Sequence, residues 1–182
     1  ALGDRIELRL SVDGATVRVG TNREEIGRNE DIGFETHLEL EVPPDTVAEV
    51  RNEHGRVEIA GVRSADVVSS FDGVSVERLS GALKLDSRHG KVSVNDLDGP
   101  LDLVSRHGAV EVADVRGPVT VDSQHGEVTV RHSGRLEIRQ QHAAVTAEAV
   151  DGDLLVRASH SEVKASDVRR DADVETSFAS VA

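Results

Sequence analysis

The chain has 182 residues, with 34 Asp or Glu against 21 Lys or Arg and a formal net charge of −13. That length fits one domain with or without a small appendage, and the acidity argues against nucleic acid and anionic membrane surfaces as partners. There is no Cys, which excludes disulfides, thiolate metal sites, Cys nucleophiles and iron–sulfur centres, and no apolar run is long enough to span a membrane.

Residues 1–50 begin with alternating apolar positions, Ile6, Leu8, Leu10 and Val12. Asp13-Gly14 comes next, then Val17 and Val19, which is the pattern of a hairpin. Residues 20–33 are charged and read as a surface loop. Leu38, Leu40 and Val42 alternate again before Pro43-Pro44. Taken together, 1–50 is expected to be an N-terminal β region of hairpin and loop that caps the first repeat of the chain.

From residue 51 to 182 the chain repeats. The first Val of each unit stands at Val57, Val74, Val92, Val110, Val128, Val145, Val163 and Val181, in steps of 17 or 18 residues. Each unit carries two alternating patches, such as Val92/Val94 and Leu101/Leu103, rich in β-branched or aliphatic residues. A lone apolar residue separates them (Val62, Leu79, Leu97, Val115, Val150, Val168), with Ser133 breaking the column. Glycine often stands two residues later, where a corner needs backbone freedom.

Two short strands per unit, no helical period and a constant step predict an all-β fold. The expected fold is a single-stranded parallel β-helix, or β-solenoid, of about eight coils of 17–18 residues. Equivalent residues would stack about 4.8 Å apart. Ser69, Ser87, Ser105 and Ser123 recur at inward parity. A Ser nucleophile needs one distinctive environment, so these read as packing. Asp and Glu fall mostly at outward positions and read as a solvated face. No catalytic and no cofactor-binding residues are predicted, because no phosphate loop, dinucleotide fingerprint, nucleophile elbow or zincin motif occurs.

One column is aromatic or imidazole throughout: His54, Phe71, His89, His107, His125, His142, His160 and Phe178. It is expected to form a structural stack of rings at one corner. Imidazole is also a common metal ligand, so His89, His107, His125, His142 and His160 are the alternative metal set. Phe cannot ligate, and parallel rings aim their nitrogens in parallel, so no metal is expected. Protonated rings so close would repel, and mild acid is expected to loosen the rod.

The segments Asp86-Ser87-Arg88-His89-Gly90-Lys91-Val92-Ser93-Val94 and Asp122-Ser123-Gln124-His125-Gly126-Glu127-Val128-Thr129-Val130 resemble the T-S-x-S-G-D-V-x-V repeat of the adhesin-type β-strand-repeat family DUF4097. Leu38-Glu39-Leu40-Glu41-Val42-Pro43 is similar to the family's lead-in. The resemblance covers roughly residues 35–182, with His where the family commonly has Ser. It implies a right-handed β-helix in an extracytoplasmic or membrane-tethered protein, and no catalytic residues to carry over.

The expected function is a non-enzymatic scaffold or adhesin-like binding module at the cell surface or envelope, with any tether or signal outside this sequence. Its partner would be a protein or cell-surface component, without nucleic acid, cofactor or direct membrane insertion. Self-association is the first alternative: Val181-Ala182 falls just after a coil begins, and an open coil end is a pairing edge. A metal-binding or pH-sensing module on the His column is the second. A sugar-cleaving enzyme would need a cleft lined by aromatics and carboxylates, and aromatics are nearly absent.

Overall fold

A computed structural model describes residues 8–13, 16–21 and 38–178. The chain divides into two compact units, Ala1–Leu40 and Glu41–Ala182. In the first, β1 (Leu8–Asp13) and β2 (Thr16–Thr21) pair antiparallel from Leu8↔Thr21 to Asp13↔Thr16. The expected hairpin is therefore present. Its turn at Gly14 lies outside the described residues, as does most of the loop expected over residues 20–33; Gly20 and Thr21, placed in that loop by their sequence, instead end β2, where they pair with Arg9 and Leu8.

The second unit is a parallel β-solenoid of about seven turns, without a helix among the described residues. One sheet has eight strands: β3 (Val47–Asn52), β5 (Ser64–Ser69), β7 (Leu83–His89), β9 (Leu101–His107), β11 (Val119–His125), β13 (Leu136–Gln140), β15 (Leu154–Ser159) and β17 (Ala172–Ser177). The other has seven: β4 (Val57–Ala60), β6 (Val74–Leu79), β8 (Val92–Leu97), β10 (Val110–Val115), β12 (Val128–Ser133), β14 (Val145–Val150) and β16 (Val163–Val168). Seven anchor valines, Val57 to Val163, open the strands of that second sheet; Val181 lies outside the described residues.

The repeat step fixes the register. Val92 sits between Val74 and Val110, and Leu103 between Leu85 and Val121, so like residues stack on like. Inward side chains of both sheets and the lone apolar column form one continuous core, in which Val67, Leu103, Val121, Val130 and Ile138 are fully buried. No single coil encloses an apolar interior; each is covered by the coils above and below. Both 17-residue steps have one cause. Val62 is three residues from Ala65, and Ser133 three from Leu136, where other coils use four. The corner loses a residue and the strands keep their register.

Two expectations need correction. The stack starts at Val47, ahead of residue 51, because Ala48, Val50 and Asn52 already occupy the columns of Ala65, Val67 and Ser69. Leu38, Leu40 and Val42 form no strand. They are about half exposed, and the chain turns at Pro44-Asp45 with Thr46 N–H donating to the Pro43 carbonyl at 3.1 Å. Alternation alone makes no strand without a partner edge, and Pro43 and Pro44 offer no N–H.

Each coil turns its second corner through one residue with positive φ, immediately before the lone apolar position. Gly61 takes this place first (φ 68°), and then Arg78, Asp96, Asp114, His132, Ala149 and Asp167 at φ 51–56°. The ladder skips this residue and resumes after it, as in Val115↔Ser133. Asp tolerates the left-handed region better than most residues, whereas Ala149 carries the full Cβ penalty. Ala149→Gly is expected to stabilise the protein by about 0.5 kcal/mol, the relieved strain being partly offset by the flexibility of glycine in the unfolded chain. Ala113→Gly, at a strand position without positive φ, should cost about 0.5–1 kcal/mol. Urea denaturation of the two variants reads the opposite signs; equal signs would remove the conformational argument.

Candidate functional site

The other corner carries the rings. Each strand of the eight-stranded sheet from β7 to β11 ends on its His, and the chain then passes through Gly90, Gly108 or Gly126. Gly90 N–H donates to the His107 carbonyl at 3.1 Å and Gly108 N–H to that of His125 at 3.2 Å. The corner is thus hydrogen-bonded from coil to coil. With backbones this close, the rings above them can only stack.

All eight rings come together in one file. Centroid separations run from 4.9 Å for His54–Phe71 to 5.4 Å for His142–His160. The pairs from His89 to His142 are stacked at 5.0–5.1 Å with interplanar angles of 5–16°. His142–His160 is tilted at 34°. The rings are exposed; Phe71 is 45% and Phe178 86% accessible. His89 Nδ1 lies 3.2 Å from the Ser70 carbonyl. As donor there, Nδ1 carries the proton and Nε2 keeps the lone pair in the neutral ring.

Nearly parallel rings do not converge their nitrogens on one point. Among the described residues no group of three or more His, Asp or Glu is placed to hold a metal ion. The column admits Phe at two rungs, so its common property is a flat ring. His107→Phe is expected to change stability by less than about 0.5 kcal/mol. His107→Ala, which removes the stacking on both faces, should cost about 1 kcal/mol. Thermal unfolding of the pair checks this: if phenylalanine is as damaging as alanine, ring stacking is not what the column provides.

Beneath the rings, Ser69, Ser87, Ser105 and Ser123 are 0–1% exposed. The first three donate long hydrogen bonds, 3.4–3.5 Å, to carbonyls of the ring corner: Phe71, His89 and Gly108. Buried hydroxyls in a repeated setting cannot meet a substrate as nucleophiles. Gln140 replaces serine on the next rung. Its Nε2 donates to the Gly126 carbonyl at 3.0 Å, while Oε1 has no hydrogen-bond partner among the described residues.

Asp98 pairs with Arg116 of the next coil, and Asp96 occupies the positive-φ corner. Asp86 and Asp122 lie two rungs apart on the outer face of the eight-stranded sheet. Further ion pairs cross coils: Lys91–Glu111 at 2.7 Å, Arg131–Glu148 at 3.1 Å, Arg157–Glu175 at 3.2 Å and Arg169–Asp151 at 2.9 Å. Sequence reasoning missed these pairs, although most join opposite charges one repeat step apart. Each is exposed and contributes little individually. His132 Nδ1 also lies 3.2 Å from Asp114 at the second corner, a contact that becomes visible only once the repeat step is applied there.

The outer face of the seven-stranded sheet is the plainest surface. Ser75, Ser93, Glu111, Thr129, Thr146 and Lys164 form one column in register. The four short hydroxyl residues among them are half-buried, and Glu111, exposed and paired with Lys91, stands between Ser93 and Thr129. No family model, curated protein or solved structure matches the chain.

Proposed function

We propose that the chain is a non-enzymatic binding scaffold of the cell surface or envelope, presenting its sheet faces and ring corner to a partner. The observation that carries this reading is the in-register outer column of the seven-stranded sheet, with Ser75, Ser93, Thr129 and Thr146 on a rigid parallel ladder. A rigid face of repeated side chains presents contacts without ordering loops on binding, which lowers the entropic cost of association. The distribution of the same residue types over many rungs, with the serines of the interior buried, favours binding over chemistry. The T-S-x-S-G-D-V-x-V resemblance supports the same reading. Thr129→Arg combined with Thr146→Arg should leave thermal unfolding unchanged and abolish attachment of protein-coated beads to cells of the source organism. Unchanged attachment would count against it.

A second reading is self-association along the rod axis. Phe178 is 86% exposed, with its ring stacked on one side against His160, and β17 has one strand neighbour among the described residues. A head-to-tail contact of this kind grows without closing. Negative-stain microscopy in low and molar salt separates the readings: filaments lost on Phe178→Glu favour the polymer, and discrete short rods favour the binding scaffold.

A further inference from the structure

We propose that the five histidines from His89 to His160 are one half of a metal-binding seam. A second copy of the chain supplies the other half, and divalent ions of the zinc class bridge the two ring files. This goes beyond the binding-scaffold reading and does not depend on it.

One file by itself gives each ion a single ligand. Zn–N bonds are about 2.0–2.1 Å, so two imidazoles on one ion bring their nitrogens within about 4.2 Å of each other. Neighbouring rings from His89 to His142 are nearly parallel and 5.0–5.1 Å apart, and equivalent nitrogens repeat at that step. The other ligands must come from outside the chain. His89 is prepared for this role. With Nδ1 donating to the Ser70 carbonyl 3.2 Å away, the lone pair stays on Nε2, at the far end of an exposed ring. A backbone carbonyl on the other ring nitrogen is the usual support of a metal-bound histidine.

The order of the rings points to a second copy. From Phe71 to Phe178 the file reads Phe, five His, Phe, the same from either end. These seven rings recur at 5.0–5.4 Å throughout. A two-fold axis at His125 sets His89 opposite His160 of the second copy, His107 opposite His142, and His125 opposite itself. Phe71 then meets Phe178 at both ends, which covers two rings that are 45% and 86% exposed. His54 lies beyond Phe71, outside the matched seven. Such a contact is isologous and closes at two chains. Facing lone pairs cannot hydrogen-bond to each other, whereas a cation between them binds both, and imidazole suits zinc, copper and nickel. The ions also offset the repulsion between two chains of net charge −13.

The flanking charges set the orientation. Parallel rods would also put each His on itself, but Arg88 would then lie beside Lys91 of the second copy. In the antiparallel pair like flanks meet in reverse order. Arg88 falls opposite Ser159, Arg106 opposite Gln141 and Lys91 opposite Glu162. Further back on the sheet face, Asp86 falls on the rung of Arg157. Glu127 and, on the sheet face, Asp122 meet their own copies at the rung of the central ion.

The test is sedimentation velocity of the full chain in EDTA, in magnesium chloride and in zinc chloride, with zinc stoichiometry from calorimetry. The chain should be monomeric in the first two and dimeric in zinc, with five ions per dimer, one for each His from His89 to His160. His107→Phe, His125→Phe and His142→Phe together keep a flat ring at every rung. Thermal unfolding in EDTA should not move, while zinc-dependent dimerisation should weaken about a hundredfold or more. His125→Phe alone should remove one ion per dimer. Lys91→Glu should weaken dimerisation about fivefold, and Lys91→Glu with Glu162→Lys should restore it. Absence of zinc binding, zinc binding without dimerisation, or a dimer unchanged by EDTA would each overturn the proposal. So would equal dimerisation of the triple variant, or no recovery on the charge swap.

Discussion

Replacing Gly108 by alanine is expected to cost about 3 kcal/mol, the upper part of the usual range for overpacking. A Cβ at Gly108 would overlap the carbonyl oxygen of Gly90, and the next nearest atoms, the Gly90 carbonyl carbon at 2.7 Å and nitrogen at 3.2 Å, are also backbone. No flexible side chain can move aside. Relief requires the rung to shift, and the rung is held by Gly90 N–H to the His107 carbonyl and Gly108 N–H to the His125 carbonyl. The shift would also part the rings of His89 and His107, stacked at 5.1 Å. Gly55 supplies the contrast. Nothing lies within 4 Å of a Cβ there, and its cost comes from φ +95° alone, about 1 kcal/mol. Urea midpoints at unchanged m-value measure the difference. Equal losses for Gly108→Ala and Gly55→Ala would show that close approach of the backbones is not what selects glycine at this corner.

Much of this architecture was legible because a solenoid converts sequence separation into spatial contact by one constant. Once Val74, Val92 and Val110 are seen at equal steps, the pairing of every strand between them is determined, as is the file of rings three residues ahead of each. The same constant would have joined Asp98 to Arg116 and Arg131 to Glu148. Outward charges look like a uniform solvated face until the same step is applied to them. The first rung was missed for a related reason. Anchoring on the valines of the seven-stranded sheet discards the half-coil before Val57, although Ala48, Val50 and Asn52 match Ala65, Val67 and Ser69 in parity.

The positive-φ column was legible only in part, since Gly61, Asp96, Asp114 and Asp167 are of types that tolerate that state and the other three are less suited to it. Arg78, His132 and Ala149 share the backbone state with them and no side-chain property. Corner geometry is imposed there by the strands on either side, which the register holds in place; the residue then meets the cost. The candidate site was legible only in part. Its rings stand out by residue type, but the hydrogen bonds that tie one ring corner to the next, from Gly90 N–H to the His107 carbonyl and from Gly108 N–H to that of His125, are known only from the structure.

The second large effect concerns the interior. Leu103→Ala should destabilise the protein by about 3 kcal/mol, because Leu103 is fully buried and lies between Leu85 and Val121 in the core. Val174→Ala, half-buried on the last described strand of its sheet, should cost about 1 kcal/mol. The difference reflects more than burial. In a stack held by nearest-neighbour interfaces, a central lesion weakens two interfaces at once, whereas a lesion on a terminal rung weakens one. Amide exchange should therefore rise first in β7, β9 and β11 of Leu103→Ala, while β15 keeps its protection. In Val174→Ala only β15 and β17 should respond. Uniform loss of protection through the whole stack in both variants would mean that the coils unfold as one unit, and that stability here is not a sum over neighbouring rungs.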